Sequence, residues 1–232
     1  MNIYKPDYRQ FRLKKLNTDE FKHVKLLLFW PLFGIMFSYV ERFSSGVTYY
    51  PMHCAFDDVI PFCEWFLIPY LFWFVYLIGT LVYTFFFDVP AFRRMMHFII
   101  CTYTITMIIY LIFPTCQNLR PTVFPRDNAL TDFVKWFYTF DTNTNVCPSI
   151  HVIGSVAAMF GLLDCHDGRL QKTWFKILVV FLAVLISAST VFMKQHSILD
   201  VIAAVPLCVL GHYVAYRLAD EPSRVSAKKS KV

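Results

Sequence analysis

A chain of 232 residues that is 57% hydrophobic and 19% aromatic but only 16% charged carries more apolar surface than a water-soluble domain of this size can bury, so composition alone points to a membrane protein. The formal charge of +6 would suit a nucleic-acid binder, but the basic residues gather at the ends and in short connections. No Gly-x-Gly-x-x-Gly, Walker loop or Cys-x-x-Cys pair is present, which sets aside nucleotide-loop and zinc chemistry and leaves no case for nucleic acid as a partner.

Residues 1–25 form a polar, basic tail containing Lys5, Arg9, Arg12, Lys14, Lys15, Lys22 and Lys25. No small-residue cleavage site follows an apolar core there, so the tail is expected to be retained. Apolar runs at 26–40, 61–87, 95–113, 148–163, 174–193 and 196–216 predict six crossings in an all-α membrane domain spanning 26–217, the first run being short for a span. Residues 218–232 form a second basic tail. Seventeen of the 22 Lys and Arg residues lie in the first tail, the connections at 93–94 and 169–176, and the end of the chain from Arg217 onward. By the positive-inside rule both termini are expected to be cytoplasmic, with the other loops of the multi-pass chain on the extracytoplasmic side and the cell membrane as the expected location.

Those outer loops hold the unusual residues. The first, 41–60, contains His53, Asp57 and Asp58, expected to be solvated, and Glu64 follows near the next span with no assigned role. The second contains Arg120-Pro121 and then an amphipathic stretch, 129–140, in which Leu130, Phe133, Val134, Phe137 and Tyr138 recur at helical spacing. Arg126 and Lys135 in that loop are candidates for steering an anionic headgroup, whereas Asp141, Asn143 and Asn145 are expected to shape the turn before the fourth span. Cys54, Cys63, Cys116 and Cys147 share this side, as free thiols or with a pair among them bonded. His97, His166 and His212 fall on the other side or in the inner half.

Three polar clusters thus meet at one face: Arg120-Pro121, then Pro148-Ser149-Ile150-His151 opening the fourth span, then Lys194, His196 and Asp200 opening the sixth. Ionisable residues converging from separate spans mark a site. If the last span is helical from His196, Asp200 lies one turn along, where it orients one ring nitrogen and leaves the other free as a base or nucleophile. Pro148 in a first helical turn would leave the N–H groups of Ser149, Ile150 and His151 aimed outward. With the Ser149 hydroxyl, Arg120 and Lys194 they describe an anion cradle, most naturally for phosphate. No cofactor or metal is required, since side chains supply the positive charge.

The segments Leu119-Arg120-Pro121, Asn145-Val-Cys-Pro-Ser-Ile-His151 and Ser189-Thr-Val-Phe-Met-Lys-Gln-His196-Ser-Ile-Leu-Asp200 resemble the three motifs of the type 2 phosphatidic acid phosphatase superfamily. The resemblance covers roughly 113–205 by motif and the whole chain by its six-span topology. It implies a helical core like that of the phosphatase and haloperoxidase fold. It also implies that His196 attacks phosphorus and becomes a phosphohistidine supported by Asp200. His151 is then the general acid and base, and Arg120, Ser149 and the Ile150 N–H hold the phosphoryl oxygens.

The sequence departs from the family pattern at three positions. Phe113 stands where the first motif usually has Lys, Thr190 where the third usually has Arg, and Ile150 where the second usually has Gly. Lys194, four residues beyond Thr190, would compensate if the chain is still helical there. The Cys-Pro-Ser-x-His and Lys-Gln-His pattern resembles the branch that includes inositol-phosphorylceramide-synthase-like transferases. The expectation is therefore a lipid phosphate phosphatase acting outside the membrane. A headgroup transferase of the same fold and an inactive lipid-binding member are the alternatives, with lipid identity and oligomeric state left open.

Overall fold

The computed structural model describes residues 5–42 and 46–218, so the basic residues at 224–231 lie outside the described residues. Eight α-helices follow in order: α1 Phe29–Arg42, α2 Ala55–Val59, α3 Leu67–Phe87, α4 Val89–Ile112, α5 Ala129–Phe140, α6 Ile150–Leu163, α7 Thr173–Phe192 and α8 Ile198–Tyr213. A tighter helical stretch, Lys22–Leu28, leads into α1. Two departures from the all-α expectation are β1 Tyr50–Pro51 and β2 Thr115–Cys116, which pair in parallel. They join two loops whose backbone groups would otherwise lack partners.

Among the described residues, five helical segments are long and apolar enough to cross a membrane: Lys22–Glu41, Glu64–Phe87, Val89–Ile112, Thr173–Phe192 and Ile198–Tyr216. The chain is an integral, multi-pass, mostly helical membrane protein. The remaining apolar run is α6, whose 14 residues rise only about 21 Å, against a hydrocarbon core of about 30 Å. What α6 lacks in length it recovers in position, because it packs against α3, α4, α7 and α8. Gly154, Ser155, Ala157, Ala158 and Gly161 make that approach possible, small residues serving between membrane helices where lipid supplies no competing hydrophobic drive. A Cβ on Gly154 would come within 2.7 Å of the Tyr103 hydroxyl and 2.9 Å of the Trp73 indole.

The expected connection around Arg93 and Arg94 does not exist as a loop. α3 ends at Phe87 and α4 starts at Val89, so only Asp88 intervenes. The reason is local: the Asp88 carboxylate accepts from the Ala91 N–H at 3.2 Å, and Pro90 opens the first turn. The turn is held further by His166, whose N–H donates to Asp88 at 2.7 Å.

At the opposite end of the bundle, the loops and α5 form a lid over α3, α6 and α8. α5 presents Val134 and Phe137 to Leu67, Tyr70 and Met193, and Asn128 caps it through the Thr131 N–H at 3.0 Å. Glu64 is fully buried, gripped by Arg126 through two 2.7 Å bonds and by Asn128 at 2.9 Å. The Arg126 guanidinium is therefore committed to buried Glu64 although its side chain stays half exposed, and Lys135 is exposed beside Asp132. His53 is exposed and pairs with Asp58, as expected of a solvated loop; Asp57 is not solvated, being 1% exposed. All seven cysteines are free thiols.

Candidate active site

The segment between α7 and α8 is shaped by the end of α7. The Thr190 carbonyl accepts from both the Gln195 and His196 N–H groups, at 3.0 and 3.1 Å. α8 then starts at Ile198, two residues later than the sequence suggests, with Ser197 as its cap. Ser197 Oγ accepts from Leu199 N–H at 3.1 Å, and Asp200 Oδ2 accepts from Ser197 N–H at 2.9 Å, a complete capping box. His196 sits just outside the helix, so the four-residue ridge does not bring it to Asp200. Its ring folds back over the cap instead, placing Nδ1 at 3.1 Å from the same Oδ2. A proton held on Nδ1 by that carboxylate leaves the Nε2 lone pair free.

α6 also starts two residues later than expected. Pro148 precedes the helix rather than occupying its first turn, and Ser149 is the cap, with Oγ accepting from Val152 N–H at 3.4 Å. Tyr110 donates to the Pro148 carbonyl at 2.7 Å. Ser149 N–H donates to the Asp200 carbonyl at 3.1 Å, stitching the starts of α6 and α8 together. That N–H is thus occupied, and the Ser149 side chain is fully buried. Among the described residues no acceptor faces the Ile150 or His151 N–H, so two donors remain at this helix start.

His151 meets His196 across the gap. The ring centroids are 5.6 Å apart at an interplanar angle of 67°. On its other sides the His151 ring packs on Tyr70 at 4.5 Å and Trp73 at 4.6 Å. Its Nδ1 is buried and has no partner among the described residues.

Arg120 reaches this centre through intermediaries. Its Nε and Nη2 donate to Gln195 Oε1 at 3.0 and 2.6 Å, Nη1 to the Tyr138 carbonyl at 2.9 Å, and Nη2 to the Asp141 carbonyl at 2.6 Å. The guanidinium lies 4.4 Å from the Tyr138 ring centre. Gln195 Nε2 and Tyr70 OH both donate to Asp141 Oδ2 at 2.7 Å. Burial lowers the Arg120 pKa and raises that of Asp141. Asp141 is therefore part of the site wall, beyond the turn-shaping role expected of it, whereas Asn143 keeps that role by donating to the Gln117 carbonyl at 2.7 Å.

Lys194 is drawn elsewhere. Its Nζ donates to the carbonyls of Asp57 at 2.6 Å and Ile60 at 2.5 Å, and the residue is 8% exposed. The helix of α7 has ended by then, with Lys194 at a φ of 52°, so the geometry that would let it stand in for Thr190 does not form. Four residues that matter here escaped the sequence reading. Tyr70 and Trp73 look like ordinary core aromatics of a span. Gln195 is overshadowed by its charged neighbours, and Asp57 sits in a loop of solvated type. The three-residue spacing of Tyr70 and Trp73 was the one available signal, since it places both rings on one helix face.

The arrangement offers an oriented imidazole, a second imidazole facing it, two helix-start N–H groups and a guanidinium network one residue from the first ring. Such groups serve to position and neutralise a phosphoryl group in transfer. Alongside α6, α7 and α8, an apolar groove of about 510 Å³ runs from Val152 and Ile198, beside the two histidine segments, inward to Met159 and Ala183. No curated protein and no solved structure matches the chain. The family model of the PAP2 superfamily matches residues 94–224, more than half of the chain and all of the motifs described above. The chain therefore belongs to the PAP2 superfamily, whose members are phosphatases or phosphotransferases, and family membership supports action on lipid phosphates.

Proposed function

We propose that this protein is a lipid phosphate phosphatase that works through a phosphohistidine on the extracytoplasmic face of the membrane, without a metal cofactor. The observation that carries the reading is the facing pair of rings, His151 and His196, 5.6 Å apart, with Asp200 on the far nitrogen of His196. Nε2 of His196 attacks phosphorus, forming a P–N bond as the P–O bond to the lipid alcohol breaks. The departing oxygen takes its electron pair and a proton from His151. Water then gives a proton to His151 and attacks phosphorus, the P–N electrons return to Nε2, and phosphate leaves. The Ile150 N–H holds a phosphoryl oxygen, the buried Ser149 fixes the helix start that presents it, and Arg120, bonded to Gln195 and to the Tyr138 and Asp141 carbonyls, supplies positive charge one residue from His196. Lys194 is assigned no phosphate contact, because its ammonium is engaged by the carbonyls of Asp57 and Ile60.

The apolar groove of about 510 Å³ supports a lipid as the phosphate donor, since it is within the size range of small-ligand sites and opens beside the histidines. In this reading α6 counts as a sixth crossing, both tails are cytoplasmic, and residues 26–217 form one catalytic domain between them. A headgroup transferase is the second reading, favoured by the missing cations at Phe113 and Thr190 and by the diversion of Lys194. Purified protein in detergent is expected to release phosphate from lipid phosphate esters in the presence of a chelator, and His196→Ala to abolish release. Activity surviving in pure His196→Ala protein rejects the assignment. Alcohol-phosphate product exceeding free phosphate, with labelled donor and candidate alcohols, selects the transferase.

A further inference from the structure

Asp57 lies in the loop between α1 and α3, far in sequence from either histidine, yet its carboxylate is built into the start of α8. Oδ2 accepts from the Ser197 hydroxyl at 2.6 Å and from Cys54 N–H at 2.9 Å, and Oδ1 accepts from Ile198 N–H at 2.8 Å. Burial works against ionisation of Asp57, but the bonds from Ser197, Ile198 and Cys54 outweigh it and hold the carboxyl below its ordinary pKa. On the other side of His196, Lys194 Nζ donates back to the Asp57 and Ile60 carbonyls. Lys194 also holds a left-handed φ of 52°, which is strained for a residue with a side chain and persists only where the surroundings fix it. The segment carrying His196 is therefore fastened to one short loop at both of its ends.

These attachments exceed what α8 needs to begin. Ser197 and Asp200 already form a complete capping box, so the Asp57 carboxylate adds its bonds to a cap that is already made. The link to chemistry runs through one atom. Asp200 Oδ2, which orients His196 Nδ1, also accepts from Ser197 N–H. Fixing Ser197 therefore fixes the carboxylate oxygen on which the imidazole turns.

We propose that Asp57 is a positioning residue for His196: through Ser197 and Ile198, and with Lys194 as the counter-anchor, it holds Asp200 Oδ2 on Nδ1 and so keeps Nε2 aimed at phosphorus. This inference rests on the phosphohistidine reading above. Asp57→Asn puts an amide donor where two oxygens face three donors. It should lower kcat on a short, soluble phosphate monoester by about 10- to 100-fold, the range expected for a misplaced reacting group, while KM changes by less than about threefold. Asp58→Asn, at the exposed neighbour, should leave both constants unchanged. The imidazole nitrogen resonances of selectively labelled protein, assigned by difference from His196→Ala, should show His196 protonated at Nδ1 in the parent. In Asp57→Asn they should show a mixture of tautomers. Parental kcat in folded Asp57→Asn overturns the proposal, and so does a low kcat with the parental tautomer, which would indicate general structural damage. If Asp57→Asn does not fold, Ser197→Ala, which removes one of the bonds, should still lower kcat by about tenfold, and parental kcat there overturns it equally. Should the parent protein turn over no phosphate donor, the phosphohistidine reading fails by itself, and the tautomer comparison still decides whether Asp57 sets the His196 ring.

Discussion

Asp200 Oδ2 accepts two N–H groups, one from the His196 ring and one from the Ser197 backbone, and this sharing decides what its replacement does. Asp200→Asn can present its amide nitrogen to the ring and favour the wrong tautomer, so turnover should fall by about 10²- to 10⁴-fold, by analogy with the histidine–aspartate pair of serine proteases. Single-turnover phosphate release measures it, and a loss below tenfold would show that the carboxylate does not orient the ring. Asp141 behaves differently, because burial raises its pKa above 3.8 in spite of the Tyr70, Gln195 and Arg120 groups around it. A carboxyl with a raised folded-state pKa contributes stability that is complete below 3.8 and is lost as pH rises through the raised value. Asp141→Asn, which keeps one acceptor and carries no charge, should therefore gain in unfolding temperature relative to the parent across that window, with the two converging in more acid solution. Detergent-phase thermal unfolding as a function of pH gives the test, and a gap that widens toward acid would contradict it.

At the level of elements, α6 and the groove beside it carry the argument. Ala188 and Ser187 keep the α7 wall of the groove shallow. Ala188→Phe should cut turnover of long-chain lipid phosphates at least about tenfold while sparing a short soluble monoester, a difference of the kind a filled apolar pocket produces; equal loss on both substrates would mean that the tail does not lie there. Gly154→Ala should destabilise the bundle by about 1–3 kcal/mol, since its methyl group meets Tyr103 and Trp73 at under 3 Å. Thermal unfolding would register this as a lower transition temperature. The spans were legible because a long apolar run has one dominant reading in a membrane. The motif residues were legible because ionisable groups are conspicuous there. What escaped was set by three-dimensional capping. Pro148 sits two places before α6, His196 two places before α8, and Asp57 reaches across 140 residues to a Ser197 hydroxyl. No periodicity in the chain announces any of these contacts.

Across the whole molecule, the site end and the opposite end differ in kind. The site end is closed by polar clamps on buried carboxylates, Glu64 with Arg126 and Asn128 and Asp57 with Ser197. The opposite end carries Arg94 against Asp164 and Arg169 against Asp167, with the basic tail beyond. The topology proposed from the Lys and Arg distribution has that basic end in the cytoplasm; on it, cysteines introduced near Lys5 and near Arg169 should resist a membrane-impermeant thiol reagent in intact cells. One introduced at Lys135 should react. Reaction at Lys5 or Arg169, or protection of Lys135, would invert the topology and with it the side on which phosphate is released. The chemistry itself is most directly tested by stopping the purified enzyme during turnover of a lipid whose phosphate is radiolabelled, under alkaline conditions that preserve phosphoramidates. The account predicts acid-labile label on the peptide containing His196, absent from His196→Ala and retained for longer in His151→Ala, which lacks the base for hydrolysis. Label on any other residue, or turnover of the lipid by His196→Ala, would contradict it.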